Sequence, residues 1–66
     1  MDSKKRGPRA LNVGDRVELR ESATMTLGEV TSVVDDEHVL VKWEKRTGYE
    51  GKTTKELASD LRRVAM

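Results

Sequence analysis

Residues 38–43, HVLVKW, alternate so strictly that Val39, Val41 and Trp43 fall on one face of an extended strand. Residues 15–20, DRVELR, do the same, with Val17 and Leu19 on one side and Arg16, Glu18 and Arg20 on the other. A period of two is that of a half-buried strand, not of an amphipathic helix. GEVTSVV at 28–34 adds β-branched residues, whose stiff side chains suit a pleated surface. The chain is therefore expected to be all-β, and a helical bundle is disfavoured.

The punctuation between these runs orders them. Gly14 supplies a turn into the first strand, and ESATMT at 21–26 is a small, polar connecting loop before Leu27 and Gly28 open the second. Asp35, Asp36 and Glu37 form a turn cluster, so 28–43 reads as a hairpin whose acids are placed by turn chemistry. Val30 and Val33 lie three apart, and a bulge near 28–31 would bring both to one face. After Trp43, Gly48 and Gly51 bracket Tyr49 in a longer loop that leads to a short fourth strand around 52–54. Thr53 and Glu56 have the spacing of a capping box, with Leu57, Ala58 and Leu61 following at helical spacing, which predicts one helical or 3-10 turn. LRRV at 61–64 closes the chain as a last strand with Leu61 and Val64 inward. Four or five short strands with one such turn before the last describe a small, strongly bent antiparallel barrel.

Size limits what such a barrel can enclose. Sixty-six residues make one domain, near the lower bound for a single hydrophobic core, with little room for a large active-site cavity. With no cysteine, a disulfide framework and a thiolate metal site are both excluded. No apolar run has the length of a signal peptide or a membrane span, so the expectation is a soluble, cytoplasmic protein away from membranes.

The net charge of +1 is unevenly spread. Residues 1–10 hold Lys4, Lys5, Arg6 and Arg9 against Asp2, while the rest of the chain has nine basic against eleven acidic side chains. Gly7, Pro8 and the lack of apolar periodicity mark 1–10 as a flexible basic arm ahead of a barrel domain at 11–66. Such an arm can grip a phosphate backbone or can simply solubilise the terminus.

VGDRVELR, the Gly-x-Val of GEVTSV, VLVKW and the closing DLRRV together resemble the SH3-like small barrels, including the KOW and Tudor-like groups, over residues 12–64. A more local pattern is similar to the photosystem I reaction centre subunit IV family: a GDRV-type first strand, Arg20-Glu21-Ser22, the Gly-x-Val strand and a Tyr-x-Gly loop at 49–51. Ala23, Thr24 and Met25 depart from it, since aromatics follow the serine in that family. The GDRV start also resembles a plasmid-encoded type of dihydrofolate reductase built on such a barrel. Its substrate-binding Val-Gln-Ile-Tyr strand would fall near 52–55, where this chain reads Lys-Thr-Thr-Lys, so that activity is not carried over. The SH3-like resemblance implies a scaffold that binds peptides, proteins or nucleic acids through its loops, and the fold alone does not choose among them.

The residue inventory argues against an enzyme. His38 is the single histidine and sits at a strand start beside Asp36 and Glu37, without the partners that acid–base work or metal ligation requires. No Gly-rich phosphate loop precedes a long helix, and no cofactor or metal site is expected. Nucleic-acid binding by the barrel face would call for exposed aromatics among basic residues. Only Trp43 and Tyr49 are aromatic, and Trp43 is in register with the core valines. Tyr49 stands between two glycines in a loop that also carries Lys45, Arg46 and Lys52, and it either makes an exposed contact or packs over a barrel end. Arg62 and Arg63 read as guards of an edge strand.

Two functions are weighed. The first is a non-enzymatic module that docks onto a protein partner or assembly through Lys45, Arg46, Tyr49 and Lys52, with the loop at 20–26. The second is a nucleic-acid-binding protein in which Lys4, Lys5, Arg6 and Arg9 neutralise phosphates and the cationic loop adds to the footprint. The acids spread over the body favour the first, because they would repel a phosphate backbone. Oligomeric state, including a homo-oligomer through paired barrel edges, stays open.

Overall fold

A computed structural model describes residues 11–64, and the basic arm at 1–10 lies outside them. The five strands are β1 (Arg16–Leu19), β2 (Leu27–Val33), β3 (His38–Lys45), β4 (Thr53–Leu57) and β5 (Leu61–Arg63). They form one antiparallel sheet in the order β4-β3-β2-β1-β5, with 3-10 turns at Arg20–Ser22 and Ala58–Asp60. The two long valine-rich segments meet as the expected hairpin, with Val30 opposite Val41 and Val33 opposite Val39. The all-β reading holds, as does the 3-10 turn before the last strand.

The alternation seen in the sequence sets the core. Val17, Val30, Val39, Val41 and Trp43 are wholly buried, and Leu11, Ala58 and Leu61 complete the cluster with Leu19 packed against it. Each buried valine is worth about 1.5–3 kcal/mol relative to exposure, so this small cluster is the main source of stability. β4 is the exception, because its inward residues Thr54 and Glu56 are polar and not fully buried.

Gly14 takes φ 97°, in the left-handed region that glycine reaches without penalty. That turn lets the chain pair with β2 before β1 formally begins: the Gly14 N–H donates to the Val30 carbonyl and the Val30 N–H to Asp15.

Several local expectations are corrected. Thr53 and Glu56 are not a capping box; both lie in β4, opposite Lys42 and Val39, and the 3-10 turn starts only at Ala58 with no side-chain cap. A backbone ladder to β3 satisfies more donors there than a cap would. The ladder also carries the fourth strand past the expected 52–54, out to Leu57. Within 20–26, Arg20–Ser22 winds into a 3-10 turn held by Thr26, whose buried hydroxyl accepts from the Leu19 N–H and donates to the Ser22 carbonyl. Register shifts at 27/28 and 30/32 confirm irregularity in β2, yet Val33 stays 43% exposed, because the sheet gives it no cover at the hairpin end. Leu61 is buried and Val64 is half-buried just beyond β5.

The hairpin turn is fixed by one carboxylate. Asp35 Oδ1 accepts from the backbone N–H of Glu37 at 2.8 Å and of His38 at 2.9 Å, and lies 2.9 Å from His38 Nδ1. The Glu37 amide above all, then the His38 side chain, holds the Asp35 carboxyl below its ordinary value of 3.8. A depressed acid stabilises the folded state above its unfolded pKa and loses that contribution as pH falls through the folded value. The expected result is that Asp35→Ala is destabilising at neutral pH, and that its gap to wild type in urea unfolding closes as pH drops below 3.8. A gap that is constant down to full protonation would show that the ionised carboxylate does not fix this turn.

Candidate functional site

The strand register brings the loops at 20–26 and 45–52 to neighbouring strand ends, because Leu27 stands opposite Lys45. The 45–52 loop is held by its own backbone. Tyr49 N–H donates to Arg46 at 2.8 Å, Lys52 N–H to Tyr49 at 2.9 Å, and Gly51 N–H to Trp43 at 2.8 Å. Gly48 and Gly51, at φ 85° and 78°, make the two left-handed residues this tight path requires. Tyr49 is thereby carried at the loop apex, 40% exposed.

Arg46 is the organising side chain. Its guanidinium carbon lies 4.2 Å from the Tyr49 ring centroid and 4.8 Å from that of Trp43, so one cation contacts both aromatics. Its Nη1 pairs with Glu56 Oε2 at 3.0 Å, and both side chains are largely buried. Thr54 closes the network: its hydroxyl accepts from the Trp43 indole Nε1 at 2.7 Å and donates to the same Glu56 oxygen. The buried indole is thus linked through Thr54 and Glu56 to Arg46, and Arg46 in turn underlies Tyr49.

This geometry separates the four candidate residues by role. Arg46 spends its charge inside the protein and positions Tyr49. Lys45 and Lys52 are exposed and, among the described residues, pair with no carboxylate. The three cations are therefore not an equivalent patch. Thr54 and Glu56 are the members that sequence reasoning missed. The signal was the alternation of 53–57, which puts both on the inward face of a strand, but the capping-box spacing competed with it.

The rest of the inventory falls elsewhere. His38 is part of the Asp35 turn, and among the described residues no group of three or more histidine, cysteine or acidic side chains could hold a metal ion. In the 20–26 loop, Met25 is 63% exposed while Thr26 is buried as its anchor. Among the described residues no helix is long and apolar enough to cross a membrane. Lys4, Lys5, Arg6 and Arg9 lie outside the described residues.

Fold and site together define a small antiparallel β domain with an aromatic loop platform. Comparison with protein-family models, curated proteins and solved structures gave no match.

Proposed function

We propose that this protein is a non-enzymatic binding module of the SH3-like type, which docks onto a protein partner or assembly through the 45–52 loop, with the 20–26 loop beside it. The observation that carries this reading is the support under Tyr49. A half-exposed aromatic, stacked on a guanidinium that is itself ion-paired and set against a buried indole, has lost its conformational freedom before any partner arrives. Rigid tyrosines of this kind are typical anchors of protein interfaces. Lys45 and Lys52 flank it as cations with no internal partner among the described residues, so they add charge selectivity at the rim. The sheet order, with β1 between β2 and β5, supports an SH3-like arrangement. A cytoplasmic setting is part of the same proposal.

The test is an affinity capture from the native lysate with wild-type and Tyr49→Ala protein, each with and without nuclease. A partner set that survives nuclease and weakens about tenfold or more with Tyr49→Ala is the expected result. A set that vanishes with nuclease would overturn protein docking in favour of the nucleic-acid reading and shift attention to Lys4, Lys5, Arg6 and Arg9. A nuclease-resistant set indifferent to Tyr49→Ala would remove the loop from the interface.

A further inference from the structure

A second surface is lined by no residue of the 45–52 loop. Leu11, Ala58 and Leu61 form the apolar floor of an open groove of about 560 Å³, and Arg20, Arg62 and Arg63 line it. The Arg20 Nε donates to the Ser59 carbonyl at 3.0 Å, which fixes the guanidinium over the groove. Among the described residues no carboxylate pairs with Arg20. Arg62 is held by Glu18 at 2.6 Å, whereas Arg63 reaches Asp15 only at 3.9 Å and its side chain is 59% exposed. Among the described residues, no acid lines the groove.

The same groove runs beside an unfinished sheet edge. Val64 N–H donates to Arg16, and Val17 and Glu18 stand opposite Arg63 and Arg62. Bonded residues alternate along an antiparallel ladder, so Arg62 and Val64 direct their backbone groups to β1 and Arg63 turns its N–H and C=O to the open side. β5 is the last strand in the sheet, and no other strand of the described residues takes them. A free edge, an apolar floor and arginines are the three elements that strand addition uses: backbone bonds for affinity, a pocket for alternate side chains, and charge for selectivity.

We propose that this groove binds an extended acidic peptide segment of a partner protein, added as a strand along β5, with apolar side chains on Leu11 and Leu61 and carboxylates on Arg20 and Arg63. Charge complementarity selects the occupant. The chain's own residues 1–10 are basic and do not complement it, and their cations add long-range attraction for an acid. Nucleic acid fits less well, because no aromatic side chain lines the groove to stack on a base.

The probe is a fluorescein-labelled octapeptide of alternating valine and glutamate, titrated with the full chain and followed by anisotropy. Saturable binding is expected, weakened about tenfold or more by Arg20→Glu and by Arg63→Glu, each confirmed as folded by circular dichroism, and weakened similarly when alternate peptide nitrogens are methylated. Tyr49→Ala should bind this probe as wild type does, which separates this site from the loop. Absence of saturable binding, indifference to both arginine variants, or equal binding of the N-methylated peptide would overturn the proposal. So would a single-stranded oligonucleotide that competes at the same arginines and binds more tightly than the peptide.

Discussion

Trp43→Ala is expected to leave the chain largely unfolded in water. Removing a fully buried large aromatic costs about 3–5 kcal/mol, from lost transfer energy and the cavity that remains. A domain of this length has a total stability of about 3–10 kcal/mol, so the loss is comparable to the whole. Trp43 is the largest side chain among those wholly buried, and it packs with valines, which cannot stretch to fill its space. Its removal also deprives Thr54 of the indole donor and Arg46 of one of its two aromatic faces. Trp43→Phe separates these contributions. It keeps a large ring but loses the Nε1 bond, for an expected cost of about 1–3 kcal/mol from the unpaired polar group and the smaller ring. Urea unfolding followed by far-ultraviolet circular dichroism measures both without relying on the tryptophan's own fluorescence. A midpoint for the alanine variant no lower than that of the phenylalanine variant would show that the indole volume does not hold the core.

The network around Trp43 also shows how far the sequence could be read. Periodicity of two identified the strands and placed Val17, Val39, Val41 and Trp43 inside, because burial of one sheet face leaves a local signature along each strand. Tyr49 was legible as a loop aromatic for a similar reason, since flanking glycines mark a tight turn wherever it lies, but the sequence left open whether it is exposed or packed over a barrel end. The role of Arg46 was not legible. Its aromatic neighbours Trp43 and Tyr49 are close in sequence, but its acid is Glu56, ten residues on and across a strand pair, where only the register of β3 and β4 fixes proximity. Thr53 and Glu56 matched a cap motif that depends on the helical path being taken, and sheet pairing with β3 overrode it. The groove beside β5 was hidden for the same physical reason: Leu11, Arg20 and Leu61 are far apart in the chain and meet only through tertiary pairing. Arg62 and Arg63 were visible as edge residues, while their contribution to a groove needed the fold.

Gly28 was legible only as a strand-opening residue, yet the structure assigns it a packing role with a large consequence. Gly28 stands opposite Val17 on one side and Trp43 on the other, and a Cβ built on it would come within 2.5 Å of Val41 Cγ1 and 2.9 Å of Trp43 Cε3. It would also lie 3.0 Å from the Lys42 carbonyl oxygen, which the ladder holds in place. Neither neighbouring side chain can withdraw, because both are wholly buried. Two effects then compete in Gly28→Ala. Relief of glycine's conformational entropy in a strand favours alanine by roughly 0.5–1 kcal/mol. Overpacking a closed core opposes it by about 1–3 kcal/mol, so alanine is expected to be net destabilising. Valine adds two further methyl groups where one carbon already does not fit, and Gly28→Val is expected to prevent folding. The double variant Gly28→Ala with Trp43→Phe decides the cause, since a smaller ring opposite residue 28 should recover part of the alanine's cost. Strict additivity of the two single changes in urea unfolding would mean that the clash with the indole is not what makes glycine necessary here.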